Sequence, residues 1–462
     1  MLRLFKQYYP IRNAVFAFCE GVFIFLSVII ACWLLLDEGV PYLDTGTVFK
    51  ALLITIICQT CLYYNDLYNL KITDTLMELG IRLMQALGVS AILMALVYLI
   101  FPTTIIREGI FIVSILLVVV FIISWRLLYT HVLSIGLFNQ KIMIIGSSDI
   151  AKEIYAQIVE KKDCGYEIVG VISRSQWQME GCSDDSLICQ QRYEHLSEIA
   201  MQKGVKKIIV ALKEKRNALP VDELLKCRVH GIEVLDGNSF YEMLTGKLIV
   251  SAINPSWLIF SKGFEKTNLQ KFVKRMIDLS LSSTMLLMLS PLIILIAILI
   301  KIDSKGPVIF AQERVGQAKR PYTVYKFRSM HVDAEKTTGP VWAQTHDDRI
   351  TKLGHFIRKW RIDEIPQLWN VLLGEMSIVG PRPEREHFVK DLEAIIPYYK
   401  ERFTVKPGLT GWAQVSYGYG SSVEDAIEKL NYELFYIKNM SILMDLMIFA
   451  RTVRTVIFGH GR

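Results

Sequence analysis

Apolar positions along the chain fall into four long runs, then a series of short ones, then a fifth long run and a mixed C-terminal stretch. The first four, at about 13–36, 47–64, 83–101 and 110–128, each approach the ~20 residues a helix needs to cross a bilayer. Near residue 139 the period changes. Residues 141–145 read as a buried strand, Gly146-Ser-Ser-Asp-Ile-Ala151 follows, and a helical pattern continues through Ile158. Further strands are predicted at 167–172, 206–211 and 232–235 with helical segments between them, which predicts a small parallel α/β domain. The fifth run, 279–300, is interrupted by Ser290-Pro291. Beyond it, 307–312 and 321–330 read as strands joined through Arg314-Val-Gly316. Their period of two puts Lys326 and Arg328 on one face, with Tyr325 and Phe327 on the other. Helical periodicity returns near 423–435 and 443–457, the latter carrying Arg451 and Arg454 and suited to a membrane surface.

Charge decides which way these runs face. Arg3, Lys6 and Arg12 precede the first run, the first loop carries Asp37, Glu38 and Asp44, and Lys71 and Arg82 lie in the second loop. The positive-inside rule therefore puts the N-terminus and the second loop in the cytoplasm and returns the chain there after the fourth helix. No row of ionisable residues marks a transport path in these runs, so they read as an anchor. The first run is too long, and lacks the small-residue cleavage site, for a removable leader. The fifth run is basic on both flanks, with Lys271, Lys274 and Arg275 before it and Lys301, Lys305 and Arg314 after it. A spanning helix should show asymmetry, and proline removes a backbone hydrogen bond midway. The prediction is a helix that dips in, kinks at Ser290-Pro291 and leaves on the same side. An ordinary kinked span is the alternative, because membrane helices tolerate proline.

Composition adds three constraints. A chain of 462 residues calls for roughly three units. A hydrophobic fraction of 52% and mean hydropathy of +0.33 indicate a membrane protein. The net charge of +7 suits an anionic leaflet or phosphate-bearing substrates, while no motif indicates nucleic acid. Residues 228–462 contain no cysteine, which excludes a thiol nucleophile or a cysteine-rich zinc site there. Cys58-Gln-Thr-Cys61 has redox or zinc spacing, but it lies in an apolar run without a partner pair and reads as core. In the α/β segment a dinucleotide fingerprint would want glycine where Ser148 and Ala151 stand, and the next strand ends at Ser173-Arg174. That pattern favours a structural or regulatory domain.

The candidate chemistry lies between Arg358 and Glu384. Pro366 suits the first turn of a helix and Gly374 its left-handed stop, which places Asp363 and Glu364 just ahead of the helix's positive end. Arg358 and Arg361 add positive charge, and Pro381 and Pro383 stiffen the backbone that carries Arg382. The plain alternative is that Asp363 caps the helix and the arginines pair with it.

At these residues the chain resembles the bacterial sugar transferases, the monotopic phosphoglycosyl transferases that load a sugar phosphate onto a polyprenyl phosphate. The matching pieces are Lys274-Arg275-Met-Ile-Asp278, Ser290-Pro291, 306–316, 325–330, Arg358, Asp363-Glu364-Ile-Pro-Gln, Asn370, Gly380-Pro-Arg-Pro-Glu384, 407–412 and 436–439, in family order. Glu433 departs from the pattern, which has aspartate there, and the position looks remote from the Asp-Glu pair. The resemblance implies a catalytic pair in which Asp363 is the nucleophile on a UDP-sugar, with release of UMP and transfer from the aspartyl adduct to undecaprenyl phosphate. It also implies Mg²⁺ at the diphosphate and Asp363, and Glu364 as a metal or proton-handling partner. Arg358 would be a phosphate clamp, Lys326 a second cation, and Pro381-Arg382-Pro383 the motif linked to the uridine nucleotide. The product would start an exopolysaccharide, capsule or O-antigen at the cytoplasmic face of a bacterial inner membrane. Glucose and galactose are the first sugars to try, and a homodimer is implied.

The expected architecture is a membrane protein of α plus α/β class. It comprises a four-helix transmembrane anchor (1–137), a Rossmann-like parallel α/β domain (138–240), a connector (241–270) and a monotopic α+β catalytic domain (271–462) with a re-entrant helix at about 276–300. Two rivals differ in kind. A membrane-anchored nucleotide-sugar dehydratase or epimerase needs a Tyr-x-x-x-Lys pair on a helix, but Tyr322 and Lys326 fall on a predicted strand, about 13 Å apart. A nucleotide-sensing scaffold leaves the Asp-Glu pair and the arginine loop unexplained.

Overall fold

A computed structural model describes residues 2–457 apart from 5–6, 10, 36–43, 66, 69–75, 105, 107–108, 135–138, 161–163, 174–186, 189–192, 194, 213–218, 253–262, 333–348, 419 and 421. It divides into two compact units, Met1–Gly237 and Asn238–Arg462.

The first unit opens with an antiparallel pair, β1 (Leu2–Leu4) and β2 (Gln7–Tyr9), and continues into α1 (Ile11–Leu35), α2 (Thr45–Tyr64), α3 (Leu76–Ile100) and α4 (Ile110–Ser134). Each helix covers one of the four predicted runs. Residues such as Ile24, Val28, Ile54, Leu87 and Ile122 pack between the helices, whereas Phe18, Phe49, Leu99 and Leu116 point outward. Apolar side chains on the outside as well as the inside are what a lipid-facing bundle requires. Cys58 and Cys61 are buried in its core. The run-by-run reading passed over one polar contact. Arg126 of α4 meets Glu20 of α1 at 2.7 Å, both buried, and donates to the Leu67 carbonyl at 2.7 Å. Paired charges are the form in which a membrane interior tolerates them.

The α/β part has strands β3 (Gln140–Ile145), β4 (Tyr166–Ile172), β5 (Leu187–Ile188), β6 (Lys207–Val210) and β7 (Glu233–Asp236), all parallel and ordered β5-β4-β3-β6-β7. Helices α5 (Asp149–Glu160), α6 (Leu196–Gln202) and α7 (Val221–Val229) connect them. Ligands of such sheets bind beyond the strand ends where the order reverses. Here Gly146 (φ +110°) presses against β6's end, so that a Cβ would stand 2.3 Å from the Ala211 carbonyl oxygen. Ser148 donates to that same oxygen at 2.7 Å. The serine standing where a fingerprint wants glycine thus ties the loop to the neighbouring strand.

The second unit takes in residues 238–240, expected in the α/β domain, and 241–252, expected as part of the connector. Their helix α8 (Gly237–Thr245) leads into Leu248 and Val250, which lie in the core, and Trp412 donates to the Gly246 carbonyl at 2.7 Å. Next comes α9 (Asn268–Asp303), opened by a Thr267/Gln270 capping box and continuous through Pro291. Proline leaves the carbonyl four residues earlier without its donor. Ser290 supplies one, its hydroxyl donating to the Leu287 carbonyl at 2.8 Å.

Both flanks of this helix are fastened to the same unit. Arg275 donates to the Val371 and Leu372 carbonyls at 2.6 and 2.7 Å, and Asp278 accepts from Ser377 Oγ and Ile378 N at 3.0 Å each. At the far end Ile296 and Ile300 pack on Phe327 and Ile357. Arg328, expected to share a face with Lys326, is instead buried and donates to the carbonyls of Ser304 and Lys305, because it lies beyond the strand's last residue. Between the flanks Leu287, Met288, Ile294 and Ile298 are exposed.

Strands β8 (Ile309–Val315) and β9 (Pro321–Phe327) stand where two strands were expected and pair antiparallel. The remaining frame is α10 (Lys352–Lys359), α11 (Gln367–Leu373), β10 (Ser377–Val379) parallel to β11 (Gly408–Thr410), α12 (Glu386–Ile395), α13 (Trp412–Ser416), α14 (Val423–Asn439) and α15 (Ile442–Ile457). The last of these buries Met444 and Ile448 and stacks Arg451 on Trp412, 4.9 Å from the ring centre.

Candidate active site

The predicted punctuation of α11 is present. Pro366 precedes it with φ −60°, and Gly374 ends it with φ +87°, donating to the Asn370 and Val371 carbonyls. Asp363 and Glu364 occupy the turn Ile362–Glu364, entered through Arg361 in the left-handed region (φ +51°). A non-glycine residue held there stores strain, and such positions gather at functional sites. No side chain caps α11, so Asp363 is not its cap.

They are treated unequally. Glu364 Oε1 accepts from Lys326 Nζ at 3.1 Å and from Arg382 at 2.8 Å, and Oε2 faces Arg361 at 3.5 Å. Asp363 is as buried, yet among the described residues nothing forms a hydrogen bond or ion pair with it. Asn370 sets this geometry from behind: its amide accepts from Tyr325 N at 3.2 Å and donates to the Thr323 carbonyl at 2.7 Å. That fixes β9, and with it Lys326, against α11. Tyr322 and Lys326 both lie on β9, so the helix-borne pair of a dehydratase is absent.

The electrostatics follow the contacts. Burial would raise Glu364, but Arg382, Lys326 and Arg361 outweigh it and hold the carboxyl well below its ordinary range. Burial, then the Glu364 charge, push Asp363 up to about 6, only partly offset by Lys326, Arg358 and Arg382. Burial also lowers the Lys326 ammonium. Adjacent acids whose affinities for protons are driven apart mark acid, base or nucleophile chemistry.

Both face a cleft of about 600 Å³, lined also by Phe310, Lys326, Arg358, Arg382 and Gln414. Arg358 reaches it from the last turn of α10. Arg382 stands between Pro381 and Pro383 on a loop pinned from below: Arg402 donates to the Arg382 carbonyl at 2.8 Å and pairs with Glu433 at 2.9 Å, both buried. Glu433, expected to lie away from the Asp-Glu pair, lines the same cleft and bonds the arginine loop, both through Arg402 and from the Arg382 backbone. Arg402 escaped the sequence reading, because in Lys400-Glu-Arg-Phe-Thr404 it looks like one more surface charge.

No cluster of three or more His, Cys, Asp or Glu able to hold a metal occurs among the described residues. Among the described residues the cleft carboxylates with oxygens to spare are Asp363, which none of them engages, and Glu384, one oxygen of which lies 3.7 Å from Arg314. That donor set suits magnesium, which takes one or two carboxylates and fills its shell from phosphates and water; it does not suit a metal caged by protein.

Comparison with known proteins places these features. The family model described as Bacterial sugar transferase matches residues 269–459, and one described as CoA-binding domain matches 64–235. A UDP-N-acetylgalactosamine-undecaprenyl-phosphate N-acetylgalactosaminephosphotransferase of Aeromonas hydrophila is 40% identical over 238 residues, 52% of this chain and 55% of that protein. An undecaprenyl-phosphate glucose phosphotransferase of Komagataeibacter xylinus is 31% identical over 335 residues, 70% of this chain and 60% of that one. The chain thus spans little more than half the length of these two relatives. The exopolysaccharide production protein PSS of Rhizobium leguminosarum bv. phaseoli is 40% identical over 195 residues, 41% of this chain and 98% of its own length. With the Asp-Glu turn, its arginine loop and the doubly fastened helix inside the matched segment, this chain belongs to the bacterial sugar transferase family.

Proposed function

We propose that the protein transfers a sugar 1-phosphate from a UDP-sugar to undecaprenyl phosphate, releasing UMP, through a covalent intermediate on Asp363. The observation that carries this reading is the contrast within the pair: a buried carboxylate with no hydrogen-bond or ion-pair partner among the described residues beside one gripped by three cations. An unpartnered carboxylate is free to attack, and splitting one displacement into two is the usual purpose of such a nucleophile.

In the first step an Asp363 oxygen bonds to the sugar-bearing phosphorus, and the bond from that phosphorus to the bridging oxygen breaks, so UMP departs with its electron pair. In the second, a phosphate oxygen of the lipid bonds to the same phosphorus and the Asp363 carboxylate is restored. Arg358 and Lys326 face the charge on the transferring group, where positioned cations act most strongly. Glu364 serves by holding Lys326, Arg361 and Arg382 in place, since its oxygens are already engaged. Mg²⁺, bound by Asp363 and the donor's phosphates, would neutralise charge on the diphosphate.

The membrane placement is part of the proposal. A straight 36-residue helix would be about 54 Å long, and crossing would put a ~30 Å hydrocarbon layer between its flanks. Attachment of both flanks to one unit supports a helix that enters and leaves at the same, cytoplasmic, face of the inner membrane, bent at Ser290-Pro291. A water-borne donor and a lipid acceptor then meet at one surface. The relatives' names widen the donors to test to UDP-glucose, UDP-galactose and UDP-N-acetylgalactosamine, with an exopolysaccharide, capsule or O-antigen as product; sedimentation in detergent tests the homodimer.

Purified protein incubated with these donors, Mg²⁺ and undecaprenyl phosphate should release UMP, and Asp363→Asn should abolish release while staying folded. Without lipid, mass spectrometry should find a sugar-phosphate adduct on Asp363. An adduct on another residue, or an active Asn variant, removes Asp363 from the role.

A further inference from the structure

Polar groups around the cleft are mostly engaged. Glu364 holds Lys326 and Arg382, Arg402 holds Glu433, Tyr417 donates to Asp425 at 2.7 Å, and Lys429 donates to the Gly420 carbonyl. Gln414 of α13 differs. It lines the cleft, its Nε2 and Oε1 are both enclosed, and neither has a hydrogen-bond partner among the described residues. A Cβ added to Gly411 would lie 3.4 Å from Oε1 and 2.3 Å from the Gly380 carbonyl oxygen, so this amide sits beside the strand end that leads into Pro381-Arg382. An enclosed amide with both halves unmet is costly, and buried polar groups are otherwise nearly always satisfied. The side chain suits a ligand that presents one donor and one acceptor side by side.

We propose that Gln414 reads the nucleobase of the donor, its Oε1 accepting from uracil N3–H and its Nε2 donating to an adjacent ring carbonyl. The inference rests on the UDP-sugar reading above and names the part of the donor this residue recognises. Geometry separates the candidates. In the uracil ring N–H and C=O project from the same edge, so one primary amide meets both, as glutamine meets a base edge in nucleic acid. The amide of an N-acetyl sugar is trans, its N–H and C=O point opposite ways, and a single glutamine cannot engage both. Phosphate oxygens only accept and would leave Oε1 unmet. Sequence inspection has no access to this signal, since Gln414 looks like any polar residue in Trp412-Ala-Gln-Val.

The test is calorimetry on the full-length protein in detergent with UMP, N3-methyl-UMP and ribose 5-phosphate. Wild-type protein should bind UMP about 10- to 100-fold more tightly than N3-methyl-UMP, the range of one bidentate base contact. Gln414→Ala should lose that preference while binding ribose 5-phosphate as the wild type does, which also shows that the variant is folded. Gln414→Glu, which keeps the volume but offers no donor, should weaken UMP likewise and decides the matter if the alanine variant does not fold. A variant that keeps the wild-type preference overturns the inference, as does wild-type protein that binds both nucleotides equally. So does an effect confined to the intact UDP-sugar, which would put Gln414 on the transferred sugar. Wild-type protein that binds no UMP at all overturns the uridine-donor reading itself, and this inference with it.

Discussion

Asp363 is kept ionised against its surroundings. Its carboxyl is pushed up to about 6 by burial and by the Glu364 charge, so at neutral pH the folded protein holds a charge that the unfolded chain would hold more easily. The sign is that of an acid with a raised folded-state value: the cost is absent at low pH and fully present above about 6. It amounts to roughly 2–3 kcal/mol. Asp363→Asn should therefore melt at a higher temperature than the wild type near pH 7.5 while losing transfer altogether; an unchanged or lower melting point would contradict this assignment. In the proposed mechanism protonation also removes the nucleophile, so the rate of adduct formation should fall about tenfold for each pH unit below about 6. A flat profile between pH 7 and pH 5 would mean that another group limits the step. Asp363, Glu364, Arg358 and Arg382 stood out in the sequence because acids and arginines cluster between 358 and 384, whereas Lys326 entered the site only through the family resemblance. The unequal contacts of the two acids were not legible, since they depend on which oxygen each cation reaches.

Between elements, several residues of the matched motifs are fasteners. Arg275 holds the end of α11, Asp278 holds the start of β10, and Asn370 joins β9 to α11. Arg402 and Glu433 do the same for the arginine loop, and they lie 31 residues apart. Periodicity finds helices and strands, but it cannot find a pair whose meaning comes from packing. Glu433→Gln should leave the Arg402 guanidinium buried without its counter-charge, a loss of about 3–5 kcal/mol for breaking such a pair. Urea unfolding of the catalytic unit should show it, together with weaker UDP-sugar binding as the Arg382 loop loosens. Wild-type stability in this variant would show that the pair is dispensable. The strand boundary carried a similar lesson: Arg328 falls one residue past β9 and is spent on the end of α9.

At the scale of the whole molecule, the four apolar runs, the parallel sheet and the fifth run were all readable, because bilayer thickness and strand alternation impose lengths and periods on a sequence. The tie between the flanks of α9 was not, since it is made by side chains that bond to distant carbonyls. That tie makes the topology testable. A cysteine replacing Lys305 should react with a membrane-impermeant maleimide only after the cytoplasmic face is opened; labelling of intact cells would show that the helix crosses.

Ser290 carries a consequence of its own. Its hydroxyl answers the Leu287 carbonyl from within the same turn, so α9 completes its own bonding around Pro291. A helix that needs no neighbour at its proline suits a segment that can serve without the rest of the chain. The Rhizobium leguminosarum relative, matched over 98% of its length by 195 residues of this chain, is a protein of that smaller size.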